Sequence, residues 1–186
     1  MRILIATASR HGSTREIGHW LASALSRELS RGDLRATVDV RDASDVDSIA
    51  EYDAAIIGSG VYMGRWLRDA RRLIAREQVE LRTLPVWLFS SGPVDDSTGA
   101  QGQPKERKAR EDKADWAIEH RTFGGKLDRS QLSRFERAVV RLIGASDGDS
   151  RSSAEVCRWA EDICRVLAER LPHSNSAVDR RPAPDA

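Results

Sequence analysis

Cysteine is scarce, with Cys157 and Cys164 the two in 186 residues. Seven positions apart on what reads as one helix, they share a face but sit about two turns from each other, too far to bridge. That excludes a disulfide framework and argues against a redox pair or metal site, leaving reduced thiols that face a core, as a reducing cytoplasm favours. Long apolar runs are missing too, since no stretch approaches the ~18 residues of a membrane-spanning helix. Met1-Arg2 leads at once into a strand, leaving no room for a signal peptide. The expectation is a cytoplasmic protein, at most peripheral at the inner face of the cell membrane. Charge of one sign is lacking, with 30 basic against 29 acidic residues and a net charge of +1. No strong field argues for nucleic acid. Two phosphate motifs are absent as well: Gly-x-x-x-x-Gly-Lys-Ser/Thr, and Gly-x-Gly-x-x-Gly after the first strand.

What is present begins with Ile3-Leu4-Ile5-Ala6, a run without polar alternation that predicts a central strand of a parallel sheet. Thr7 to Thr14 then supplies the hydroxyls of Thr7, Ser9, Ser13 and Thr14 together with Gly12, followed by a helix. Helix amides and the helix dipole favour an anion at that junction. With no lysine in the loop, a phosphate monoester fits better than a nucleoside triphosphate. The alternative is an ordinary strand-to-helix turn with a Ser/Thr cap. Ser9-Arg10-His11-Gly12-Ser13-Thr14 resembles the flavodoxin family, whose FMN-phosphate loop is an N-terminal strand followed by Thr/Ser-x-x-Gly-x-Thr and a helix.

Further along, Ile17, Trp20, Leu21, Ala24, Leu25 and Leu29 recur at helical spacing, a crossover helix that ends at Arg31-Gly32-Asp33. Ala36–Val40 reads as an edge or near-edge strand, and 42–51 as a short helix or turn anchored by Ile49. Asp53-Ala54-Ala55-Ile56-Ile57 is a second buried strand, running into Gly58-Ser59-Gly60-Val61-Tyr62-Met63-Gly64. Those glycines allow backbone to approach a planar ring, on which Tyr62 or Trp66 could stack. In flavodoxin-like proteins this loop meets the isoalloxazine; the alternative is a glycine-rich turn with Tyr62 packed on its own domain. A helix around Leu67, Ala70, Leu73 and Ile74 carries Arg65, Arg68, Arg71, Arg72 and Arg76, read as a solvated face or an attractor of acidic substrate. Pro85–Pro93 repeats the grammar of buried strand then small polar loop, with Ser90, Ser91, Gly92 and Pro93 at its end. Ligands of open parallel sheets bind beyond the carboxyl ends of strands, so three loops converge on one crevice.

The remainder predicts a polar linker (95–103), a surface helix (104–119), a fifth strand (120–127), a basic amphipathic helix (129–143), a break at 144–149 and a last helix from Ser153 to Leu171. The 129–143 helix packs on the core or rests on an anionic membrane or large apolar substrate. Residues 172–186 have the composition of a disordered tail. The fold predicted is α/β, a flavodoxin-like five-stranded parallel sheet in the order 2-1-3-4-5. It has helices on both faces and an extra helical insertion before the last helix, in one domain spanning 1–171.

Taken to Leu171, Ser9–Ile17, Gly58–Gly64 and Ser133-Arg134-Phe135-Glu136-Arg137-Ala138-Val139-Val140-Arg141-Leu142-Ile143-Gly144 resemble the menaquinone-dependent protoporphyrinogen dehydrogenase branch of the flavodoxin superfamily. The resemblance implies one FMN, oxidation of protoporphyrinogen IX in haem biosynthesis and electron delivery to a quinone. Peripheral membrane contact through 129–143 is expected from the basic amphipathic pattern of that helix. Ser9, Arg10, His11, Gly12, Ser13 and Thr14 would hold the phosphate. Ser59, Gly60, Val61, Tyr62, Met63 and Gly64, with Ser90, Ser91, Gly92 and Pro93, would flank the ring. Most small flavodoxin carriers are strongly acidic, so the near-neutral balance leans towards an enzyme. A one-electron carrier and an FMN-free binding module stay open as alternatives, as does a homo-oligomer. No catalytic residue or metal site is nominated, because the cofactor carries the chemistry.

Overall fold

The computed structural model describes residues 1–32, 35–62, 64–92, 115–124, 126–127, 148–149 and 152–170. In chain order the elements are β1 (Arg2–Ala8), α1 (Ser13–Arg31), β2 (Thr37–Asp42), a 3-10 turn (Ala43–Asp45), β3 (Ala54–Tyr62) and β4 (Arg65–Trp66). They continue with α2 (Arg68–Arg76), α3 (Gln78–Leu81), β5 (Val86–Gly92), β6 (Glu119–Gly124), β7 (Lys126–Leu127), β8 (Gly148–Asp149) and α4 (Ser153–Arg170).

Residues Ile3 to Ala6 of β1 are fully buried, and their side chains alternate between two cores. Ile3 and Ile5 join the apolar faces of α1 and α4. Leu4 and Ala6 join α2 and the 43–52 segment on the other side. An unbroken apolar run with period-two alternation is what a strand covered on both faces requires. Each large aliphatic side chain so buried contributes about 1.5–3 kcal/mol.

The main sheet runs β2-β1-β3-β5-β6, with every pair along that path parallel. This is the predicted five-strand order once the two-residue β4, which pairs antiparallel with β3, is set aside. Because α1 and α2 lie on opposite faces, the strand order reverses between β1 and β3. A ligand crevice belongs at their carboxyl ends.

The first core holds an aromatic cluster in which Phe89, Phe123 and Trp159 meet edge to face, with centroids 5.5–6.1 Å apart. Gly58 faces Phe89 across the β3–β5 ladder, and a Cβ placed there would lie 2.0 Å from the ring. Glycine at 58 is therefore a packing requirement of the sheet rather than a loop feature. Trp159, fully buried, is a core residue that helical spacing alone did not single out. Its Nε1 donates to Glu119 Oε2 at 2.7 Å, tying α4 to the edge strand β6.

Some expectations shift. The second strand starts at Thr37 rather than Ala36 and extends to Asp42. The helix expected to run through Glu119 does not reach the described part of that span, where 115–118 form turns and bends and Glu119 opens β6. The fifth strand stops at Gly124, and Lys126–Leu127 leaves the main sheet to pair with Gly148–Asp149, inside the span read as a break. The linker at 95–103, the basic helix at 129–143 and the tail at 172–186 lie outside the described residues. No helix among the described residues is long and apolar enough to cross a membrane.

Candidate functional site

β1 ends at Ala8, Ser9 is half-buried, and Arg10 and His11 are exposed. The chain then turns into α1 through Gly12, whose φ of 84° lies in the left-handed region. That conformation costs an L-residue about 1–2 kcal/mol, which glycine avoids. Gly12 O accepts the first helical bond, from Glu16 N at 2.9 Å, so the amides of the first turn precede the helix's own ladder. Ser13 opens the helix, and Thr14 is buried.

Thr14 Oγ1 lies 3.2 Å from Ser91 Oγ at the end of β5. A Cβ on Gly60 at the end of β3 would come within 3.3 Å of that same Thr14 oxygen. The three predicted loops therefore meet at one point, at the carboxyl ends of β1, β3 and β5. A side chain at 60 would fill the space beside Thr14.

The loop after β3 is a tight hairpin. Tyr62 pairs with Arg65 and Val61 with Trp66, and Gly64 takes φ 75° as such a short connection demands. Tyr62 is half-buried, with the Arg10 guanidinium 5.0 Å from its ring centroid. A cation over an aromatic face at that distance is attractive, and it links the first loop to the second. Gly92 stands beside Val61, whose Cβ would lie 3.6 Å from a Cβ at 92. Met63 and Pro93, both predicted to flank the ring, lie outside the described residues.

Four predicted side chains have other roles. Ser59 is fully buried; its hydroxyl donates to Gly60 O and accepts from Leu67 N, both at 2.9 Å, and so fixes the start of α2. Ser90 Oγ accepts from Trp66 Nε1 at 2.9 Å and lies 2.9 Å from His120 Nε2. Trp66 is 4% exposed and meets His120 edge-on at 5.6 Å, so it is a core anchor and not a stacking platform. Thr7 belongs to β1, fully buried, with its hydroxyl unpartnered and its Cγ2 packed where α1 crosses at Gly18. Period two holds the signal for these corrections: adjacent Ser90 and Ser91 must face opposite sides of the sheet. Ser91 alone turns towards Thr14.

A family model described as a flavodoxin domain matches residues 4–154. The chain belongs to the flavodoxin-domain family. An archaeal flavodoxin is 14% identical over 90% of this chain and 99% of its own, with a TM-score of 0.51. The Streptococcus pneumonia TIGR4 flavodoxin is 19% identical over 92% of this chain and 100% of its own, at 0.50. Rubredoxin oxygen:oxidoreductase from Desulfovibrio gigas is 14% identical at 0.56, covering 90% of this chain but 36% of that protein, so this flavodoxin domain spans about a third of that larger chain. Identities this low establish the shared fold. No curated protein sequence matches.

Flavodoxin-domain membership implies FMN as the cofactor, and the residues present fit it. The left-handed Gly12, the first amides of α1 and the facing hydroxyls of Thr14 and Ser91 are the kind of donors that a phosphate monoester accepts from. Gly60 leaves open the space beside Thr14 that a side chain would fill.

Proposed function

We propose that this flavodoxin domain is an FMN-dependent oxidoreductase that oxidises a porphyrinogen, protoporphyrinogen IX, and passes the electrons to a quinone. The observation that carries the redox reading is the meeting of Thr14, Gly60 and Ser91 at the end of β1, β3 and β5. The porphyrinogen reading rests on the resemblance of 9–17, 58–64 and 133–144 to that branch of the superfamily, and on the near-neutral charge of +1.

When bound, FMN supplies the redox chemistry, accepting hydride or electrons and yielding them to an acceptor. The chain's own residues do the rest. Gly12 and the α1 amides, with Thr14 and Ser91, orient the phosphate. The Ser59 bond to Leu67 N holds the hairpin that follows Gly60. The backbone around Gly60 and Gly92 would flank the cofactor ring and tune its potential through its dipoles. Hydrogens lost by the porphyrinogen leave in pairs, each pair reducing one quinone to its quinol.

A second reading, a flavodoxin-type carrier without a substrate of its own, is favoured by full-length structural overlap with small flavodoxins. Anaerobic turnover separates the two. The FMN-loaded enzyme should convert protoporphyrinogen IX to the fluorescent porphyrin only when a menaquinone analogue is present. A loaded protein that exchanges electrons with a reductase but leaves the porphyrinogen untouched would be a carrier.

A further inference from the structure

We propose that Arg65, Arg68, Arg71 and Arg72, at the start of α2, form the docking surface for a redox partner protein with an acidic face. The proposal rests on the carrier reading above, in which the bound flavin exchanges electrons with another protein.

These arginines are all exposed, and they differ from those that are held in ion pairs. Arg2, Arg15, Arg31, Arg76 and Arg121 each meet a carboxylate. Arg65, Arg68 and Arg72 have no such partner among the described residues, and Arg71 uses its Nε on Trp66 O at 3.2 Å. Arg68 lies three and four positions before Arg71 and Arg72, so the three are neighbours on one side of α2, opposite the buried Ala70 and Leu73.

Helix stability does not explain their placement. Arg68 is the first residue of α2 and the next two lie in or just past its first turn, where the helix dipole disfavours cations. Asp69 is the acidic residue of that turn. The helix gains nothing from these cations, and together with Arg65 they present a positive face to solvent that complements an anionic surface.

Their position ties them to the crevice. Leu67, immediately before α2, donates its N–H to Ser59 Oγ, and its Cδ1 would lie 3.7 Å from a Cβ on Gly60. Arg65 pairs with Tyr62 across the hairpin. A partner seated on these arginines would sit beside the residues that border the ring. With a net charge of only +1, the patch acts as a local steering site, suited to the small, fast encounters of electron transfer.

A lipid surface fits less well. Among the described residues the exposed large apolar side chains are Val79 and Ile118, and neither lies on α2 to insert beside the arginines.

Binding of the full chain to an acidic ferredoxin, a basic cytochrome c and phosphatidylglycerol vesicles, each at low and high ionic strength, tests the proposal. The ferredoxin should bind at low salt and release at high salt, and R68E/R72E should weaken it at least about tenfold. The same variant should melt no lower than the parent, since it places carboxylates at a helix N-terminus. R65Q/R72Q, which only removes charge, should show a smaller loss of the same sign. Equal binding to ferredoxin and cytochrome, ferredoxin binding untouched in both variants, or arginine-dependent binding to vesicles alone would overturn it. Flavin content, read from the visible spectrum of each sample, reports separately on the redox reading.

Discussion

Thr14 Oγ1 and Ser91 Oγ, 77 positions apart in sequence, lie 3.2 Å from each other where α1 begins and β5 ends. Neither hydroxyl is placed by its own loop alone. Thr14 is carried by the first turn of α1, and Ser91 by the outward alternation of a buried strand. A phosphate there would accept from both, and hydrogen bonds to a charged acceptor contribute about 1.5–3 kcal/mol each. Thr14→Val is therefore expected to weaken FMN binding roughly tenfold to a hundredfold. Ser91→Ala should do the same by a similar or smaller factor. Because the two oxygens touch, the double variant should lose less than the sum of the two, as read by flavin fluorescence titration.

Ser90 and Thr7 should separate from that pair by affecting the fold rather than the cofactor. Ser90→Ala leaves the buried Trp66 Nε1 without its acceptor, a loss of about 1–3 kcal/mol. Thr7→Val removes a buried hydroxyl with no partner and is expected to be neutral or stabilising. Urea unfolding of each variant, with the FMN affinity measured alongside, checks both directions.

Gly58→Ala is expected to be among the more damaging single-methyl insertions in the chain. The added carbon would sit 2.0 Å from Phe89, whose ring is held in turn by Phe123 and Trp159. Overpacking of this kind costs about 1–3 kcal/mol and occasionally more. Thermal melts should show a clear drop. Phe89→Leu in the same background should recover part of it by making room.

Cys164 gives a pH-dependent prediction. Burial, with Glu28 and Glu161 nearby, pushes its thiol up to about 11, against about 8.5 for an ordinary thiol. At pH 8 its thiolate is rarer by on the order of a hundredfold, so iodoacetamide should label it far more slowly in the folded protein than in urea. A thiol kept neutral by the fold and free to ionise when unfolded favours unfolding as pH rises. Its contribution to stability is thus intact below the ordinary thiol pKa and declines between there and about 11. Cys164→Ala should flatten that part of the stability profile.

The sheet was legible because β1, β3 and β5 are apolar on both faces and each ends in small polar residues, so strand order and crevice followed from one repeated pattern. The basic character of α2 was equally plain in the run of arginines. What the one-dimensional pattern hid was side-chain direction. Ser59, Ser90 and Ser91 look alike as loop-end hydroxyls, yet the first secures α2, the second anchors Trp66, and only the third meets Thr14. Trp66 sits in a glycine-rich stretch that invites a stacking role, but its indole is covered by the β5–β6 face. Such choices are made by tertiary packing and by strand parity, and composition does not carry them.

Titration of the purified protein with FMN and, separately, with riboflavin most directly tests whether the β1–α1 junction is a flavin-phosphate cradle. One FMN per chain should bind, with riboflavin weaker by at least about tenfold because it lacks the phosphate that Gly12, Thr14 and Ser91 are arranged to hold. Equal affinity for the two, or no binding of either, would contradict it.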